Sequence, residues 1–169
     1  MNCCTMAVVD LTTSHKTAVR KSWGKLDAEK HGMLLKLRTF QRNPIYQDLF
    51  DEFQGKNIEE LITTCYQDVL LHTLPTMNAL NFAVKNMNNP AAFKKYFTDL
   101  ARSSSAVPMD IEFSNIQSVI VDCWNESLGK MDSLTEEAWA ILIRGICDAM
   151  MGSTDVKEGE EIDDENFTA

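Results

Sequence analysis

The sequence has no long apolar run. No stretch approaches the roughly 18 consecutive apolar residues that a membrane-spanning helix requires. The first residues also have neither the basic start nor the apolar segment of a secretory signal. We therefore expect a chain with no transmembrane segment and a cytoplasmic location.

Cysteines are few, and their spacing does not indicate pairing. The chain has five, an odd number with no C-x-x-C pair: Cys3, Cys4, Cys65, Cys123 and Cys147. This pattern favours reduced thiols over a disulfide framework or a zinc site. Adjacent Cys3 and Cys4 are either an acyl anchor or an unmodified exposed pair, and residue 2 is Asn2 rather than the glycine that N-myristoylation requires.

Motifs that carry catalysis are also missing. The chain has no glycine-rich phosphate loop, no H-E-x-x-H and no G-x-S-x-G. Asp99 and Arg102, three residues apart, are predicted to form a surface ion pair rather than a catalytic pair. The sequence therefore indicates a protein that is not an enzyme.

The formal net charge of −9 is concentrated at the C-terminal end. Residues 155–169 hold seven acids and one lysine, so they carry −6 and leave −3 for the rest of the chain. With no basic excess to neutralise phosphates, this composition argues against a nucleic-acid partner. Residues 153–169 are predicted to be a disordered acidic tail, with a docking segment as the alternative.

Apolar residues recur at helical spacing and no segment alternates with a period of two, so the predicted class is all-α. The length of 169 residues suits one domain, predicted over residues 11–152 after a flexible lead at 1–10. The predicted helices cover residues 11–26, 32–40, 57–87, 91–102, 110–128 and 133–151, with a short helical turn at 44–53.

The longest predicted helix, residues 57–87, is the one around which the others are expected to pack. Asn57 and Glu60 form a capping pattern at its start, and Pro75 predicts a kink or break. Its inward face is predicted to consist of Cys65, Val69, His72, Thr76, Ala79 and Ala83. His72 on this face is either a core histidine bonded to a backbone group or a functional ligand.

Lys36 is a charged residue on an otherwise apolar helix face. It lies between Met33 and Phe40 on nearly the same side of the second predicted helix. Two interpretations stay open. Either its stem carries the ammonium outward to solvent, or the ammonium reaches into an internal cavity.

The last two helices have clear boundaries. Gly129 is expected to end the helix before it, and Ser133-Leu-Thr-Glu136 predicts a capping box at the start of the last helix. Gly152 is expected to end the last helix. Its inward stripe is predicted to be Trp139, Leu142, Ile143, Ile146 and Met150.

Several landmarks recur in one order along residues 11–152. Leu11 lies twelve residues before Trp23, and Gly32 lies eight before Phe40. Pro44 follows Phe40 by four, and two phenylalanines, Phe50 and Phe53, stand six and nine residues after Pro44. This ordered set resembles the globin family, in particular divergent invertebrate globins of the nematode type.

The resemblance implies an all-α globin fold of seven to eight helices around a haem-type pocket. It implies a b-type haem and a diatomic gas as ligand, with His72 on the distal side as the only candidate iron ligand. The cofactor-binding residues that it implies are His72, Phe50, Phe40, Lys36, Thr76 and Phe113.

The chain departs from this family at the proximal ligand, which is normally a histidine. Counting from different landmarks places that position within Ala101, Arg102, Ser103 and Ser104. None of these can ligate iron normally. Two hypotheses remain: haem binding with unusual ligation by His72, alone or with Lys36, and a haem-free binding or regulatory module. In the second, the pocket is empty, filled by side chains or occupied by a small apolar ligand.

Overall fold

The computed structural model describes residues 7–103 and 107–152, and within them all regular structure is helical. Nine α-helices fall in these ranges: α1 (Thr13–Trp23), α2 (Ala28–Arg42), α3 (Pro44–Gln47), α4 (Ile58–Thr63), α5 (Tyr66–Lys85), α6 (Pro90–Arg102), α7 (Met109–Ile116), α8 (Ile120–Leu128) and α9 (Ser133–Met151). Short 3-10 turns lie at Ala7–Asp10 and Asp51–Phe53. The all-α prediction is confirmed. No helix in the described ranges is long and apolar enough to cross a bilayer.

The largest part of the core surrounds α9. The predicted stripe of this helix is fully buried, from Trp139 to Met150. Trp139 packs against Trp23 and Trp124, with ring centroids 6.0 and 5.8 Å away. The Trp139 indole N–H donates to Ser22 Oγ at 2.9 Å, which satisfies a polar group that would otherwise be buried without a partner.

Helices α2 and α5 cross at very short range. A Cβ placed on Gly32 of α2 would lie 2.5 Å from Thr73 Cγ2 and 2.8 Å from Met77 Cγ, both on α5. Only glycine permits this approach. One turn beyond the crossing, Lys36 of α2 and Thr76 of α5 point into the same interior space.

The N-terminal segment contributes to the core from a position before the predicted start of the domain at residue 11. Val8, in the Ala7–Asp10 turn, is fully buried and packs against Gly145 of α9. Thr12 then caps α1 in a reciprocal pair with His15. Val8, which falls within the predicted flexible lead, is therefore packed on the domain. The acyl-anchor prediction for Cys3 and Cys4 and the acidic tail at 153–169 fall outside the described residues.

The longest predicted helix is two helices. A turn at Thr64 and Cys65 separates α4 from α5, although Asn57 and Glu60 form the predicted capping box. Helix α5 runs through Pro75, so of the predicted kink or break the break is wrong, and the kink stays a prediction. Pro75 lies on the exposed side of α5, as does Leu71 one turn earlier, where water can solvate a carbonyl that loses its amide partner.

Two further helix boundaries and one ion pair differ from the predictions. The single helix predicted at 110–128 is divided into α7 and α8 by a turn at 117–119. The N-cap of α9 is Asp132, whose carboxylate accepts the Thr135 amide at 2.7 Å, and not Ser133. Asp99 pairs with Lys95 at 2.7 Å rather than with Arg102. Gly129 ends α8 as predicted, with a φ of +77° that favours glycine.

Candidate functional site

A buried ion pair lies at the centre of the predicted pocket. Lys36 Nζ of α2 is 2.5 Å from Glu112 Oε1 of α7, and their side chains are only 2% and 5% exposed. Thr76 of α5 donates its hydroxyl to the same carboxylate oxygen at 3.1 Å. Of the two interpretations of Lys36, the inward one is therefore correct. A single carboxylate joins three helices.

Aromatic rings enclose the ammonium of this pair. Lys36 Nζ lies 5.1 Å from the centroid of Phe50 and 5.8 Å from those of Phe40 and Tyr46. The negative ring faces attract the cation and replace part of its lost hydration. Burying two charges costs several kcal/mol per ion, so it needs this close pairing and these further contacts.

His72 lies at the rim of the same region. Its side chain is 30% exposed, and Nε2 is 2.5 Å from Glu52 Oε1 in the Asp51–Phe53 turn. Its ring contacts Phe50 and Phe53 edge-on, with centroids 5.1 and 5.4 Å away. The hydrogen-bond partner of His72 is thus a carboxylate, and not the backbone group expected for a core histidine. A backbone hydrogen bond, and then the bond from His72, lower the pKa of Glu52.

Little space remains between these side chains. The cavity next to the ion pair has a volume of about 10 Å³, close to that of one water molecule. Ligand pockets for cofactor-sized molecules are typically about 300 to 1,000 Å³. The cavity is lined by Gly32, Leu35, Lys36, Thr73, Thr76, Met77 and Glu112.

Protein atoms alone bury the residues expected to face a haem. Phe50 is 4% exposed and Thr76 is 3% exposed. Val107, just before α7, belongs to the same apolar cluster as Phe40 and Phe50 and helps to fill the region. In this arrangement a porphyrin does not fit against Phe50 and Thr76.

The structure brings together most of the predicted site residues. Phe40, Phe50, Lys36 and Thr76 meet around the ion pair, and His72 contacts Phe50 from the rim. Phe113 is buried in the larger core instead, 6.0 Å from Phe97 between ring centroids.

The candidate proximal positions lie at the end of α6. Ala101 and Arg102 form its last residues, and Ser103 caps it by donating its hydroxyl to the Leu100 carbonyl at 2.6 Å. Ser104 lies outside the described residues. Within the described ranges, no cluster of three or more histidine, cysteine or acidic side chains could hold a metal ion.

Sequence reasoning missed Glu112, the partner of Lys36. A signal was present, because Glu112 precedes the apolar Ile116 by one helical turn and so lies on the same side of the predicted helix. Two opposite charges, each on the inward face of its helix, indicate a buried pair. Tyr46 and Glu52 were missed as well, since their roles depend on how the chain folds around residues 43–53.

Comparison with known proteins supports both the fold and the family. A model of the globin family matches residues 36–150, more than half of the chain. A solved structure of a hexacoordinated haem protein from an anhydrobiotic tardigrade, determined at pH 4, superposes with a TM-score of 0.71 at 20% sequence identity. The alignment covers 86% of this chain and 96% of that one. This chain is a member of the globin family.

Proposed function

We propose that this globin works as a haem-free binding or regulatory module whose central pocket is closed by its own side chains. The observation that carries the proposal is the Lys36–Glu112 ion pair, which occupies the pocket together with Phe40, Phe50 and Thr76. Opening the pocket to a porphyrin means separating two buried charges, and each separated charge is strongly destabilising.

The chain offers no strong bond that would offset this cost. A haem in a globin is held mainly by its proximal histidine, and the sequence has no histidine after His72. His72 itself is held by Glu52. Lys36 is a poor alternative iron ligand, because its ammonium is bonded to a carboxylate and would have to lose both that partner and a proton.

Haem binding with unusual ligation is the second candidate function. Membership of the globin family supports haem as a candidate cofactor, and the tardigrade protein that shares the fold is a haem protein. His72 would then hold the iron on the distal side, and Phe50 would pack on the porphyrin. Haem would supply the binding of a diatomic gas. This candidate requires His72 to leave Glu52 and the ion pair to move.

A haemin titration distinguishes the two candidates. The full-length protein is titrated while absorbance is followed from the Soret band to the visible region, in oxidised and reduced forms. We expect no saturable shift near one equivalent. His72→Ala and His31→Ala are matched variants, since both remove a histidine and only His72 borders the pocket. Saturable binding that is lost in His72→Ala and kept in His31→Ala would overturn the haem-free proposal.

A second experiment adds the missing ligand. Histidine is introduced by Arg102→His, Ser103→His or Ser104→His, which covers the uncertain register of the proximal position. A pocket that admits porphyrin should give a five- or six-coordinate globin spectrum in at least one variant. We expect none to do so, because the ion pair remains in place in all three.

The cellular setting of the protein follows from smaller observations. Cys65, Cys123 and Cys147 are free thiols in the described structure, as a reducing compartment requires. We therefore propose a cytoplasmic location. We also propose a binding role rather than an enzymatic one, since the titratable groups of the pocket are bonded to one another.

A further inference from the structure

A basic groove lies on the surface and shares no lining residue with the cavity beside the Lys36–Glu112 pair. It has a volume of about 530 Å³ and lies between α1 and the connection from α8 to α9. Its basic residues are Lys21, Lys25 and Lys130, against Asp132 as its only acid. All three lysines are exposed, and in the described structure none forms an ion pair. We call this surface, defined by Lys21, Lys25 and Lys130, the basic groove.

The charge of this region contrasts with the rest of the chain. Residues 13–26 contain four basic residues and no acid, in a protein whose net charge is −9. The field of the groove acts on its neighbours, since the charge of Lys21 adds to the hydrogen bonds from Thr135 in lowering the pKa of Asp132. An anionic partner would meet several unpaired cations at once.

The chain itself carries such an anionic segment. Residues 155–169 have a charge of −6, and five of the acids fall between Glu160 and Glu165. We propose that residues 160–165 dock in the basic groove of the same molecule, through carboxylates that pair with Lys21, Lys25 and Lys130.

The distance from the end of α9 to the basic groove can be spanned by residues 160–165 and not by residues closer to the end of the helix. Helix α9 has 19 residues, so at 1.5 Å per residue its two ends are about 28 Å apart. The groove lies at its first turn and the tail leaves from its last. An extended chain advances about 3.3 Å per residue, so about nine residues after Met151 bring the chain to Glu160. Because the tail is tethered, even weak exposed ion pairs act at a high effective concentration.

Zero-length carbodiimide cross-linking of the full-length protein tests the contact. The cross-links join carboxylates to amines in direct contact and are mapped by mass spectrometry. Lys94 is the matched control, because it is an exposed lysine on α6, which reaches the end of α9 through the bond from Thr98 to Ala149. A tail without a docking site would reach Lys94 more easily than the groove.

We expect the acids of residues 160–165 to cross-link to groove lysines at least about threefold more often than to Lys94, and to lose this preference in about 1 M salt. Cross-links spread evenly, or concentrated on Lys94, would overturn the proposal. An equal mixture of ¹⁴N- and ¹⁵N-labelled protein identifies the source of the tail. Light–heavy cross-links would assign the groove to a second copy of the chain and so contradict docking within one molecule.

A second measurement uses the reactivity of the lysines. The acids of the segment are neutralised together as Glu160→Gln, Glu161→Gln, Asp163→Asn, Asp164→Asn and Glu165→Gln. Acetylation of Lys21, Lys25 and Lys130 should then be about threefold faster than in the unaltered protein, while Lys94 should react at the same rate in both. Equal rates at the groove lysines would count against docking.

Discussion

Gly32 of α2 and Thr73 of α5 approach so closely that a Cβ on Gly32 would lie 2.5 Å from Thr73 Cγ2. This contact fixes the crossing of the two helices that carry Lys36 and Thr76. The pocket is therefore shaped by a position that has no side chain of its own. Its size and its ion pair both depend on how near α2 can come to α5.

Gly32→Ala should destabilise the protein by about 1 to 3 kcal/mol, because the added methyl group forces the two helices apart or the side chains off their rotamers. The free energy of unfolding is measured by urea denaturation. Gly24→Ala is the control, since a Cβ there would lie no closer than 3.4 Å to another atom. Thr73→Ser removes the clashing methyl and keeps the bond from Thr73 to the Val69 carbonyl, so it should recover part of the loss. If the effects of the two substitutions on the free energy of unfolding are additive, the loss does not come from a clash with the Thr73 methyl group.

Removing one member of the ion pair should lower the free energy of unfolding far more than removing both. Lys36→Met or Glu112→Leu alone leaves an unpaired buried charge and should cost about 3 to 5 kcal/mol. The double variant should be close to the unaltered protein in stability, or more stable. A double-mutant cycle in urea measures the coupling. Exposed Lys95 and Asp99 provide the matched control pair, for which the coupling should be below about 1 kcal/mol.

The buried thiols should resist alkylation in the native protein. Burial raises the pKa of Cys123 to about 12 and that of Cys147 to about 11, so almost no reactive thiolate is present at pH 8. Iodoacetamide labelling followed by peptide mass spectrometry should find both residues unmodified until urea unfolds the chain. Labelling of Cys123 at the rate of free cysteine would show that α8 opens readily.

The bond between Glu52 and His72 predicts a pH dependence. Since the pKa of Glu52 is lowered in the folded state, its ionised form stabilises the fold above the ordinary glutamate range. This contribution should be lost as the pH falls below the usual value of 4.5 through the lower folded-state pKa. The stability advantage of the unaltered protein over Glu52→Gln should thus be constant near neutral pH and shrink in acid. Exposed Glu59→Gln should leave the profile unchanged.

Helix identity was predictable here because burial is periodic. The stripe from Trp139 to Met150 and the Asn57–Glu60 cap depend on residues close together in the chain, and both were predicted correctly. The breaks at Thr64 and at residues 117–119 were missed. No glycine or proline marks either of them, so tertiary packing sets these breaks.

The candidate site was predictable in part of its membership and not in its chemistry. Phe40, Phe50, Lys36 and Thr76 were expected to line one pocket, and they do meet. What closes that pocket is Glu112, 76 positions away from Lys36. Periodicity assigns each residue to a face but does not pair charges on distant helices.

The Lys36–Glu112 pair also restricts which sequences this chain can reach by single substitutions. Replacing either residue alone should leave the other charged and buried, while replacing both should be tolerated. A path from this pocket to an apolar one therefore passes through a poorly folded intermediate unless both positions change together. Because each single substitution should lower the stability of the fold, selection for stability alone is enough to retain both charges once they are in place.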